Sequence, residues 1–209
     1  MSGKLEKLVE LKTVLEAAGP SSRGPRGRAG SRAAAGGLDA VTEHGMLFQD
    51  ALARALAQGT KSVTRRPAQG AMVDEAGKPR IRVGDLIWVR EAWRITVIHG
   101  LECGVAYRAG GSPRVAIVSL EQASSAVFRA TATWRPSLHM PRWAAHTVLR
   151  VTESSVEQLQ ELDDVEARAE GFADSQAFTN AWDAIYRDSG HAIGTRPSVV
   201  VLRFKPELK

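Results

Sequence analysis

A single glutamate at the end of a strand-like run constrains the fold of this chain more than any other residue. The run reads Gly84-Asp85-Leu86-Ile87-Trp88-Val89-Arg90-Glu91-Ala92-Trp93. Gly84-Asp85 supplies a turn, and the β-branched and aromatic residues after it supply a strand. Alternation places Ile87, Val89 and Glu91 on one face and Leu86, Trp88 and Arg90 on the other. Glu91 therefore shares its face with apolar neighbours. A buried carboxylate must be paired or protonated, because an isolated buried charge is costly. The tertiary fold has to bring a cation or a donor to that position, and the sequence offers Lys61, or an arginine close after it, as the expected partner.

Those cations belong to the polar stretch Gly59-Thr60-Lys61-Ser62-Val63-Thr64-Arg65-Arg66. Leu47, Phe48, Ala51, Leu52, Ala55 and Leu56 recur at helical spacing, so a helix is expected over 46–58 with Gly59 as its C-cap. Lys61 and Thr64 stand three apart and share a side if the chain continues in a tight or helical turn. A hydroxyl beside an amine can act as a nucleophile beside its base. A plainer reading makes the stretch a solvated basic loop in which Ser62 or Thr64 caps the next turn.

Gly59, Lys61 and Arg66 fit the G-x-K-x(4)-R pattern of ASCH domains, small β-barrels of the PUA-like superfamily. Further matches follow in order: residues 84–93, then Trp134-Arg135-Pro136-Ser137-Leu138-His139-Met140-Pro141, then Leu149-Arg150-Val151, and a helix end at Ala169-Glu170-Gly171. Over residues 46–206 the chain resembles the longer ASCH form carried by phages and prophages. The resemblance implies an α+β fold, a small PUA-like barrel of mixed, mostly antiparallel strands with flanking helices. It also implies three activities that the sequence leaves open. Some compact ASCH proteins remove the acetyl group of N(4)-acetylcytidine with a Lys, a Thr three residues on and a Glu from a later strand, the types standing here as Lys61, Thr64 and Glu91. Others are RNA-binding modules, and others ribonucleases acting on single strands. The segment containing Ser137, His139 and Arg142 is expected to cross near the pocket.

Amide hydrolysis needs a nucleophile, a base, an oxyanion donor and an acid for the leaving amine. Thr64 is the candidate nucleophile. Lys61 serves as base if burial and the charges of Arg65 and Arg66 lower its pKa. Glu91 then orients Lys61 or shuttles a proton at the exocyclic nitrogen of a cytosine-like ring. The competing reading uses the same residues without chemistry: Arg65, Arg66 and Arg90 contact phosphate or a base edge, Trp88 and Trp93 offer stacking surfaces, and Ser137 and His139 complete the site. Trp134 and Trp143 are expected in the core rather than at a stacking surface.

A net charge of +5, with pI near 9.7, favours anionic partners such as RNA, nucleotides or DNA, and the partner expected is RNA or a nucleoside or nucleotide ligand. With a single cysteine, Cys103, no internal disulfide or cysteine-rich zinc site is possible. The five histidines have no metal-binding spacing, and neither a metal nor a cofactor is expected. Without a long apolar run or a leader pattern, the expected home is the cytoplasm, away from membranes.

Composition divides the chain into a basic, low-complexity extension, 1–45, and a domain, 46–207. Leu5, Leu8, Leu11 and Leu15 fit a short amphipathic helix, whereas the Gly-, Ser- and Arg-rich stretch 19–37 has little to bury and is expected to be disordered. The extension reads either as a basic arm or as translated upstream sequence with Met46 as the start. Within the domain, strands are expected at 103–108, 114–118, 127–134, 147–152 and 198–204, the last closing the barrel. A helix opened by Asp163 and Glu166 ends near Gly171. Another, over 175–187, presents Phe178, Trp182 and Ile185 to the core, with Tyr186 beside them.

Overall fold

The computed structural model describes residues 41–111, 113–125, 128–160 and 162–207, so the expected features within 1–40 lie outside the described residues. Within them the fold is α+β, with two sheets of mostly antiparallel strands. The five-stranded sheet has the order β1 (Glu43–Leu47), β3 (Leu86–Arg90), β7 (Val148–Gln158), β8 (Ser198–Pro206) and β2 (Val63–Pro67). Its one parallel pair is β1 with β3, in the register Glu43 to Leu86 and Leu47 to Arg90. The second sheet is a meander of β4 (Trp93–His99), β5 (Glu102–Tyr107) and β6 (Arg114–Ile117).

Residues 84–93 are therefore two strands rather than one. Arg90 pairs with Leu47 in the larger sheet, whereas Trp93 pairs with Tyr107 in the smaller, and the chain changes sheets at Glu91-Ala92. The alternation expected for β3 holds: Ile87 and Val89 are wholly buried. Among the described residues the barrel does not close. β8 lies between β7 and β2 and closes nothing, leaving β1 and β2 as the two edges. A side chain spans these edges instead, Arg66 Nη2 donating to the Leu47 carbonyl at 3.2 Å.

The expected helix over 46–58 is shorter, α1 (Asp50–Ala57), because Met46 and Leu47 are drawn into the ladder with Val89 and Arg90. Gly59 does terminate it. At φ 73° it takes the left-handed conformation, and Thr60 N reaches back to Ala55 O at 3.0 Å. Of the strand expected at 127–134, Val127 lies outside the described residues and 128–134 form no strand; among the described residues isolated bridges join Ala130 to Ile95 and Arg135 to Trp93. A short helix, α2 (Leu120–Ala123), precedes that segment with Ser119 and Gln122 forming a capping box.

The apolar run in β8 serves both faces of its sheet, as expected for a central strand. Val200, Leu202 and Phe204 pack with Met46, Phe48, Leu56 and Ile87, while Val199 and Val201 pack with Val63, Phe178 and Trp182 from the other side. That second layer rests on α3 (Asp164–Ala169) and α4 (Ser175–Tyr186), capped by Asp163 and Asp174 respectively. Phe178 and Trp182 of α4 are buried as expected, but Ile185 is 51% exposed, lying at the rim of a pocket rather than over the core. No helix among the described residues is long and apolar enough to cross a membrane.

Candidate functional site

The polar stretch after α1 does not continue as a helical turn. From Val63 it is extended, with Val63, Arg65 and Pro67 on one side of β2 and Thr64 and Arg66 on the other. Lys61 precedes the strand and is 3% exposed. Its ammonium donates to Val63 O at 2.6 Å, to Glu170 O at 2.6 Å and to Glu170 Oε2 at 2.7 Å, which uses all three protons. Burial lowers its pKa to about 8, the neighbouring Glu170 carboxylate opposing that shift and Arg66 and Arg65 adding to it.

Glu170 is the C-cap of α3, where unpaired carbonyls and the helix dipole favour a cation. Lys61 supplies that cation, and Ser62 N binds the adjacent Ala169 O at 2.9 Å. Gly171, at φ 89°, lets the chain turn away here; a Cβ on it would lie 3.4 Å from the Cβ of Lys61. Arg65 extends the network, with Nη1 donating to Glu170 Oε1 at 3.1 Å and Nη2 to Glu166 Oε2 at 2.7 Å. Hydrogen bonds from Arg65 and from Arg203 hold the Glu166 carboxyl below its ordinary range.

Thr64 is wholly buried, and its hydroxyl accepts from Arg66 Nη1 at 3.0 Å. No hydrogen bond joins Lys61 Nζ to Thr64 Oγ1 among the described residues. Glu91, 1% exposed, meets neither Lys61 nor an arginine of the first motif. Its Oε1 lies 2.8 Å from His146 Nε2, and its Oε2 is buried without a partner. The cause is the antiparallel pairing of β3 with β7: the residue following β3 and the residues preceding β7 meet at one end of the ladder. Strands are expected at 84–93 and 147–152, but nothing in the sequence pairs them, so His146 is not expected beside Glu91. The expected triad is distributed over separate contacts.

Beside this network lies a pocket of about 740 Å³. Arg65, Arg66 and Glu170 form a polar side. Phe48, Phe172, Trp182, Tyr186 and Trp134 give aromatic walls, and Ser137 and Pro136 contribute from the crossing segment. Arg66 lies over the Phe48 ring, 5.2 Å from its centroid. At the rim Arg108 Nε donates to Asp50 at 2.6 Å.

Of the residues expected here, Arg65, Arg66 and Ser137 line the pocket; Lys61, Thr64 and Glu91 do not. Trp88 lies under Arg90, whose guanidinium also donates to the Leu138 carbonyl, and Trp93 is wholly buried, so none of these three is a pocket wall. His139 is exposed outside it, and Arg142 is taken by Glu43 at 2.5 Å. Trp134 departs from its expected place in the core and forms a wall, while Trp143 packs edge-on to Trp93 as a core residue. Sequence reasoning passed over Glu170 as a bare helix end. An acidic side chain at a helix C-terminus opposes the dipole, and that unfavourable placement is the signal for a buried cation partner. Among the described residues no group of three or more His, Cys, Asp or Glu side chains is arranged to hold a metal.

No family model and no curated protein matches the chain. Among solved structures it is similar to an ASCH domain from Lactobacillus crispatus, with 12% identity and a TM-score of 0.43 over 79% of each chain. It is also similar to a DUF984 protein from Enterococcus faecalis, with 10% identity and a TM-score of 0.43 over 81% of this chain and 82% of the other.

Proposed function

We propose that this protein binds a nucleotide, a flat base entering between the aromatic walls and its phosphate meeting Arg66. One observation carries the reading: Arg66 sits at an aromatic pocket and forms no ion pair among the described residues, although three hydrogen bonds orient it. Its protein acceptors are Thr64 Oγ1, Arg65 O and Leu47 O. Nε and one hydrogen of Nη2 remain available to a ligand, since a guanidinium has five N–H donors. A planar donor fork beside aromatic rings suits a base carrying phosphate.

The hydrolytic reading receives less support. Its one favourable feature is the depressed pKa of Lys61, at about 8. Against it, the lysine's protons are all engaged and Thr64 has no exposure, so nucleophile and base lack the contact that activation requires.

Titration of cytidine 5′-monophosphate, cytidine and N(4)-acetylcytidine, followed by tryptophan fluorescence, tests the reading. The monophosphate should bind more tightly than either nucleoside. Arg66→Ala should cost about 1.5–3 kcal/mol, roughly 10- to 150-fold, on the monophosphate, the range for a hydrogen bond to a charged group. Equal affinity of wild type and variant for the monophosphate overturns the proposal. Incubation with N(4)-acetylcytidine should give no product; turnover abolished by Lys61→Ala would restore the hydrolytic reading instead.

A further inference from the structure

The rim of the pocket carries an ion pair that the nucleotide reading leaves unused. Asp50 and Arg108 both line the cavity, and Arg108 Nε donates to Asp50 Oδ2 at 2.6 Å. Asp50 is the first residue of α1, and one turn further along the helix Arg54 Nε donates to Ala109 O at 2.7 Å. Arg108 N in turn donates to Ala92 O at 2.8 Å. Helix and loop are thus tied at two adjacent points, which fixes the Asp50 carboxylate and the Arg108 guanidinium at the mouth.

Asp50 also stands close to the phosphate position assigned above. Arg66 donates to Leu47 O and lies over the Phe48 ring, and Asp50 is two residues beyond Phe48. Two residues of chain span at most about 7 Å. The charge of the lining fits a single phosphate. Four arginines, Arg65, Arg66, Arg108 and Arg135, face two carboxylates, Asp50 and Glu170. That positive excess matches a phosphomonoester, which carries about −1.5 to −2 at pH 7. A second phosphate, extending away from the base toward the rim, would meet a carboxylate and a guanidinium that is already paired.

We infer that Asp50 limits the ligand to one phosphate, by holding Arg108 and by placing a negative charge in the path of a longer phosphate chain. This rests on the nucleotide reading above and names the ligand class as a nucleoside monophosphate, with Asp50 as its specificity determinant.

The test titrates the 5′-mono-, di- and triphosphates of cytidine against wild type, Asp50→Asn, Arg108→Met and Arg66→Ala at low salt, with thermal melting of each variant. Wild type should bind the monophosphate at least as tightly as the other two, although they carry more charge. Asp50→Asn keeps the side-chain shape and should strengthen the di- and triphosphate about 10-fold relative to the monophosphate. One unit charge at about 7 Å is worth roughly 3- to 50-fold, between bulk-water and near-surface screening. Arg108→Met leaves the Asp50 carboxylate unpaired and should weaken the longer ligands about threefold or more relative to the monophosphate. A purely structural ion pair would shift both variants in the same direction, since either substitution breaks it. Affinity that rises with phosphate number in wild type, or shifts of the same sign in the two rim variants, overturns the assignment. Failure of the nucleotide reading looks different: wild type binds none of the three, or Arg66→Ala leaves all three unchanged, and the assignment falls with it.

Discussion

Replacing Glu170 with glutamine removes one negative charge from between two buried cations while keeping the side-chain shape. Lys61 is 3% and Arg65 6% exposed, and both donate to this carboxylate. They respond differently, because only the lysine can shed its proton in the accessible range. In the folded protein Lys61 titrates at about 8, below its usual 10.5. Between those values the unfolded chain holds more protons, so wild-type stability rises with pH there. Without Glu170 the main force raising the lysine pKa is gone, and the ammonium is lost at still lower pH. The extra cost is then capped at the work of neutralising it, ~1.4 kcal/mol per pH unit below the folded pKa. That leaves almost nothing at pH 9, about 1 kcal/mol at pH 7 and about 3 kcal/mol at pH 6.

Arg65 keeps its bond to Glu166 and loses the one to Glu170, a pH-independent cost of about 1.5–3 kcal/mol. Urea unfolding of wild type and Glu170→Gln, followed by tryptophan fluorescence, should give a difference of about 3–4 kcal/mol at pH 7, consistent with breaking a buried pair. The difference should widen toward pH 6 and narrow toward pH 9. Adding Lys61→Met should abolish that pH dependence. A difference equal at pH 6 and pH 9 refutes the assignment of Glu170 as the counter-charge of a buried, titrating lysine.

Three further changes probe the same framework by urea unfolding. His146→Ala leaves the 1%-exposed Glu91 carboxylate without its imidazole and should cost about 3 kcal/mol; an unchanged midpoint would mean that Glu91 has another partner. Gly171→Ala places a Cβ at φ 89°, 3.3 Å from Leu52 Cδ2, and should cost about 1–3 kcal/mol through backbone strain, with no loss expected only if that turn relaxes. In Gly45→Ala the new Cβ would lie 2.5 Å from the Trp88 ring; a cost of about 1–3 kcal/mol with a shift in tryptophan emission is expected, and neither would appear if β1 were not packed on β3.

Local chemistry made much of the scaffold legible. Glycine at position 59 ends α1 because only the left-handed conformation turns the chain there, and alternation assigns Ile87 and Val89 to the core without reference to any partner strand. The same pattern correctly demanded a partner for Glu91. Which partner was a tertiary decision, because His146 arrives only when β7 pairs with β3, 55 residues later in the chain. The helix expected from residue 46 lost its first turn to pairing with β3, an interaction that helical spacing cannot register.

The polar cluster divides along the same line. Its residue types dictated a dense cationic site, since an amine and two guanidiniums within six residues require acceptors or solvent. Their separation was decided by the backbone: an extended β2 sends alternate side chains to opposite faces. Lys61 and Arg65 thereby meet Glu170, more than 100 residues away, while Arg66 faces the aromatic pocket. Sequence determines what each side chain needs; tertiary pairing determines which needs are met inside the protein, and Arg66 keeps unused donors because the acceptors its strand position gives it are one hydroxyl and two carbonyls, with no ion pair among the described residues.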